Sequence, residues 1–72
     1  MKSLVLIKNE VYELRLKKNV TQEALAHEMQ VSRQTIIAIE KGNYTPSVLL
    51  ALKFAGFFNT SVEKIFKISY EK

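Results

Sequence analysis

Residues 21–42 read TQEALAHEMQVSRQTIIAIEKG, from Thr21 to Gly42, and this stretch decides the fold. Thr21 can accept a hydrogen bond from the first turn of a helix, and Ala24, Leu25, Ala26 and Met29 follow it in a helical pattern. Ser32 can cap a second run in which Ile36 and Ile39 face inward. Gly42 can end that run, because glycine takes a left-handed conformation without penalty. The connection, Met29-Gln30-Val31-Ser32, has the length of about three to four residues expected between helices that cross near a right angle. Ala26 is small where the second helix must pass close to the first.

This is the spacing of a helix-turn-helix, and the rest of the chain bears on what it serves. With 72 residues, the chain has room for one small domain, near the lower limit for burying a core without cross-links. It has no cysteine, which excludes disulfides and thiolate metal sites, and the single His27 cannot build a zinc site. Small domains without such links often gain stability by dimerising, and the apolar content of 47% fits a shared interface. Eleven Lys and Arg against seven Glu and no Asp give a net charge of +4. A pI near 9.5 favours a polyanionic partner, with nucleic acid first, although many small proteins are mildly basic. No segment reaches the roughly 20 apolar residues of a membrane span, and Leu4–Ile7 is too short for a signal-peptide core. The expectation is a soluble, cytoplasmic protein with no membrane partner.

Outward from the central stretch, Asn9 can cap a first helix through Lys18, with Glu10 and Glu13 early and Lys17 and Lys18 late, an order that complements the helix dipole. Val11, Leu14 and Lys18 fall on one stripe, which Tyr12 and Leu16 broaden, and Arg15 lies beside it. Gly42–Pro46 is a loop, and Ser47 can cap the next helix. Val48–Phe58, VLLALKFAGFF, is apolar almost all round with Lys53 its only charge. Such a helix is buried on more than one side, so one side is expected in the core and another against a partner subunit. Gly56 costs helix stability unless something packs closely there. Ser61, Glu63 and Lys64 open a last short helix. Ser3–Ile7 suits either a helical turn or a strand, whereas Ile65–Tyr70 alternates apolar and polar residues as a strand does.

Three blocks in order, Thr-Gln-Glu-Ala-Leu-Ala at 21–26, Val-Ser-Arg-Gln-Thr-Ile at 31–36 and Ile-Glu-Lys-Gly-Asn-Tyr-Thr-Pro at 39–46, resemble the Cro/C1-type (XRE) helix-turn-helix family of phage and bacterial repressors. The resemblance runs from about Glu10 to Phe66. It implies a mainly α, five-helix, lambda-repressor-like DNA-binding domain spanning residues 1–72. Short, cytolysin-repressor-like members of that family pair their terminal segments, which implies a small antiparallel two-stranded sheet from about 3–7 and 65–70. It also implies an ion pair between Arg15 and Glu40, locking the first helix to the recognition helix. The departure is Gln30, where the family usually has glycine in the turn; at positive φ, glutamine costs about 1 kcal/mol more than glycine.

In a helix-turn-helix the start of the second helix enters the major groove while the first crosses the backbone. With Ile36 and Ile39 turned inward, Arg33, Gln34, Thr35, Ile37 and Ala38 are the candidate base contacts. Arg33 can fork onto guanine and Gln34 onto adenine, while Thr35, Ile37 or Ala38 can meet a thymine methyl. Gln22 and Ser32, at helix starts, and Lys41, Asn43 and Tyr44, just past the recognition helix, are the candidate phosphate contacts. Phe54, Phe57, Phe58, Phe66, Ile68 and Tyr70 are the candidate dimer interface.

The function expected is a sequence-specific regulator of transcription, in the manner of a repressor, binding double-stranded DNA as a homodimer. A second possibility is an antitoxin-like or accessory subunit whose apolar C-terminal half holds another protein. An enzyme is not expected: with no Asp, no Cys, one His and no glycine-rich phosphate loop, the chain offers no triad or metal site. No cofactor and no small-molecule substrate are expected.

Overall fold

A computed structural model of the chain describes residues 5–70, with side-chain surroundings given for residues 8–68. The order is β1 (Val5–Asn9), α1 (Val11–Lys18), α2 (Gln22–Met29), α3 (Arg33–Glu40), α4 (Val48–Phe58), α5 (Val62–Ile65) and β2 (Phe66–Tyr70). α2, α3 and α4 start where hydroxyl side chains accept their first N–H groups: Thr21 Oγ1 accepts from Ala24 N at 3.0 Å, Ser32 Oγ from Thr35 N at 3.1 Å and Ser47 Oγ from Leu50 N at 3.1 Å. They stop where a residue can turn left-handed. Asn19, Gln30 and Asn59 have φ near 60° after α1, α2 and α4, and Gly42 has φ 81° after α3. Beyond α3, Gly42 N donates to Ile39 O and Asn43 N to Ala38 O, each at 2.9 Å, closing the helix with paired reverse bonds.

The terminal segments form an antiparallel two-stranded sheet in which Val5 pairs with Tyr70, Ile7 with Ile68 and Asn9 with Phe66. The first strand ends at Asn9, two residues later than expected; Ser3 and Leu4 lie outside the described residues. It runs on through Lys8, which is exposed and stands opposite Lys67 in the register. Ile65 belongs to the end of α5, where it is fully buried, and not to the strand.

Asn9 stands one step away from the expected cap. Glu10 occupies the capping position without a side-chain bond, while Asn9 Oδ1 accepts from Val11 N at 3.1 Å. Its Nδ2 donates to Ile39 O at the end of α3, at 2.9 Å. On α1, Val11 and Arg15 are buried and Leu14 half-buried, but Tyr12 and Leu16 face solvent.

One core holds Val11, Leu25, Ala26, Met29, Ile36, Ile39, Leu50, Phe54, Ala55 and Ile65. Phe54 sits in its middle with no exposed surface, 6.3 Å from a parallel Phe58 ring and 6.0 Å from an inclined Phe66 ring. Burying each such large side chain contributes about 1.5–3 kcal/mol. Gln30, at φ 61°, takes the strained turn position, and its side-chain Oε1 accepts from Lys53 Nζ at 3.0 Å, tying the turn to α4. Among the described residues, no helix is long and apolar enough to cross a membrane.

Candidate nucleic-acid interface

Ser32 determines how α3 begins. Its Oγ caps Thr35 N and lies 3.0 Å from Thr35 Oγ1, so these two hydroxyls are partly occupied with each other. Arg33 and Gln34 project from this first turn into solvent, and Thr35, Ile37 and Ala38 are half-buried beside them. Ile36 and Ile39 are fully buried, which fixes the rotation of α3 and turns Arg33, Gln34 and Ile37 away from the core. Arg33 and Gln34 can present polar groups to a partner here, and Thr35, Ile37 and Ala38 can present methyl groups and shape.

Beyond the far end of α3, Lys41, Asn43 and Tyr44 are exposed on the loop that Gly42 starts. At the near end of α2, Gln22 is half-buried. Gln22, Arg15, Thr21, Glu23 and Arg33 line a shallow, open depression, which brings the starts of α2 and α3 to one place. The N–H groups of the first turn of α2 favour an anion there. Arg33 adds positive charge at this depression and Glu23 opposes it. His27 is exposed on the same helix.

Beneath this surface lies the ion pair. Arg15 Nε donates to Glu40 Oε2 at 2.6 Å and Arg15 Nη2 to Glu40 Oε1 at 3.3 Å. Arg15 Nη1 donates to Val20 O at 3.0 Å, and Gln22 Nε2 donates to Glu40 Oε1 at 3.0 Å. The two charged side chains are only 9% and 6% exposed. The Gln22 bond was not legible in the sequence, since the two residues lie 18 apart and glutamine pairs with almost anything.

The candidate dimer residues divide. Phe54 is enclosed by its own chain and has no surface to give a partner, so its assignment to an interface is corrected to core. Phe57, Phe58 and Phe66 are half-buried against that core, Ile68 is exposed, and the side chain of Tyr70 lies outside those described. The exposed apolar face of α4 is instead aliphatic: Val48, Leu49 and Leu52 are 78%, 66% and 57% exposed. Gly56 follows on the same face, and among the described residues nothing beyond its own stretch of helix stands within 4 Å of where its Cβ would be. Among the described residues, no group of His, Cys, Asp and Glu is placed to hold a metal.

The comparisons agree with this geometry. A family model described as helix-turn-helix matches residues 11–65. The chain is 55% identical over 60 residues to an HTH-type transcriptional regulator of Methanocaldococcus jannaschii, covering 83% of this chain and 91% of that protein. It is 46% identical over 65 residues to the HTH-type transcriptional regulator YgzD of Bacillus subtilis, covering 90% and 98%. Among solved structures, the restriction-modification controller protein C.AhdI of Aeromonas hydrophila superposes with a TM-score of 0.69 at 27% identity, over 76% of this chain and 83% of that one. The transcriptional regulator VanUg, at 17% identity, shares the fold alone, with a TM-score of 0.74 over 99% of this chain and 100% of its own. A capped α2, a three-residue turn and an α3 anchored through Glu40, in a chain that matches the helix-turn-helix family model over residues 11–65 and named regulators over most of its length, place this chain in the Cro/C1-type (XRE) family of DNA-binding helix-turn-helix transcriptional regulators.

Proposed function

We propose that this regulator acts as a cytoplasmic repressor, binding a palindromic operator as a homodimer with α3 of each copy in the major groove. The observation that carries the reading is the placement of exposed side chains around α3. Arg33 and Gln34 stand free at its start, and Lys41, Asn43 and Tyr44 stand free past its end. In this reading Arg33 and Gln34 read base edges, with Thr35, Ile37 and Ala38 supplying apolar contact. Gln22, Ser32, Lys41, Asn43 and Tyr44 hold phosphates on either side.

An eight-residue helix is about 12 Å long, so one copy of α3 spans only a few base pairs. Two copies related by a two-fold axis would read half-sites about 34 Å apart. The aliphatic face of α4, with Val48, Leu49 and Leu52 uncovered, supports a second copy as its cover. Repression needs only that a bound dimer occlude a promoter.

Selection from a random duplex pool at near-physiological salt tests the reading, together with sedimentation of the free protein. An enriched palindrome with half-sites one turn apart, bound by a dimer, supports it. Retention without any enriched motif removes sequence-specific reading. A stable monomer removes the homodimer and turns the α4 face toward a different protein.

A further inference from the structure

Glutamine carries a flexible side chain, and a flexible donor is a poor phosphate ligand unless something holds it in advance. Gln22 is held. Its Nε2 donates to Glu40 Oε1 at 3.0 Å, and Glu40 is itself fixed by Arg15 through bonds of 2.6 and 3.3 Å. A carboxamide nitrogen has two hydrogens. Glu40 engages one, which leaves the other available at the depression where Gln22, Arg33 and Thr21 meet solvent. Arg15 has a distinct part in this: without it, a bare carboxylate would stand beside the phosphate site and repel the ligand.

We propose that Glu40 is a positioning residue for DNA binding, acting through the Gln22 carboxamide, with Arg15 cancelling its charge. The inference rests on Gln22 contacting phosphate. It makes the buried pair part of the binding surface as well as a clasp between α1 and α3. Because the same carboxylate ends α3, the phosphate donor on α2 and the recognition helix are set by one group.

The test compares two double variants of equal charge, Arg15→Met with Glu40→Gln and Arg15→Met with Glu40→Leu. Both lack the ion pair, but only the first keeps an acceptor for Gln22. The expected result is that the Gln variant binds the selected duplex within about threefold of the parent, while the Leu variant loses about tenfold, the cost of one disordered donor to a charged group. Gln22→Ala should lose the same amount and add nothing to the Leu variant. Salt slopes should not change, because Arg15 and Glu40 are lost together, the net charge is kept, and neither is assigned a phosphate contact. If Gln22→Ala binds like the parent, the phosphate contact fails and the proposal falls with it. If Gln22→Ala loses affinity but the two double variants bind alike, only the positioning role is overturned. Should the Leu variant not fold, the side-chain amide protons of Gln22 in the parent decide. One should exchange slowly in free protein and hold its shift on adding duplex while the other moves; both moving together would overturn the proposal.

Discussion

Arg15 and Glu40, 25 residues apart in sequence, are joined by two hydrogen bonds with almost no access to water. A buried pair of this kind contributes little net stability compared with well-packed apolar residues, but breaking it from one side leaves an uncompensated charge. Arg15→Met alone should therefore cost about 3–5 kcal/mol. Arg15→Met with Glu40→Leu should recover most of that loss. Urea unfolding at fixed protein concentration measures both. A double variant no more stable than the single one would show that the pair stabilises the fold by more than avoiding a stranded charge.

Arg33 and Lys41 should separate reading from holding. Arg33→Ala should reduce discrimination at one base pair by about 1–3 kcal/mol and leave binding to unrelated duplexes little changed. Lys41→Ala should weaken all sequences alike and reduce the slope of log K against log salt by about 0.9. Titrations of matched and single-mismatch duplexes at several salt concentrations check both. A uniform loss from Arg33→Ala would move that residue from base to backbone.

Two apolar residues on α4 should behave in opposite ways. Phe54→Ala removes the centre of the core and should cost about 3–5 kcal/mol, enough to leave much of a domain this small unfolded. Leu52→Lys lies on the exposed face and should leave the helical signal intact while turning a dimer into monomers. Circular dichroism with analytical ultracentrifugation reports both, and a dimer unchanged by Leu52→Lys would place the interface elsewhere.

Gln30 offers a gain. Its φ of 61° is strained for any residue with a Cβ, and the bond from Lys53 to its side chain is exposed. Gln30→Gly should stabilise the chain by about 0.5–1 kcal/mol, the strain relieved less the bond lost and the added freedom of the unfolded chain. Thermal unfolding would show this as a rise of about 4–8 °C per kcal/mol. A fall would mean that the Lys53 bond outweighs the strain.

The central motif was legible because its signals are local. Thr21, Ser32 and Gly42 cap or end helices through neighbours a few residues away, and Ile36 and Ile39 share a face by spacing alone. The Arg15–Glu40 pair was visible only through family resemblance, since nothing local points an arginine across 25 residues. The rotation of α4 was not legible. A helix that is apolar all round has no polar face to mark its outside, so its phenylalanines suggested an interface where the packing exposes Val48, Leu49 and Leu52. Tyr12 and Leu16 mislead on α1 for a related reason: the buried stripe there is completed by the arginine and not by the apolar residues beside it.

Asn9 joins the end of β1 to the start of α1 and the end of α3 through its two side-chain bonds. The sheet it terminates is only two strands wide, a size that is marginal on its own. Transient opening of the terminal strands should therefore release the last turn of α3 as well, so that both exchange their amide hydrogens as one cooperative unit. The sheet would then act as a lock on the recognition helix, and a tag or fusion that loosens the N-terminal strand would lower DNA affinity from a distance.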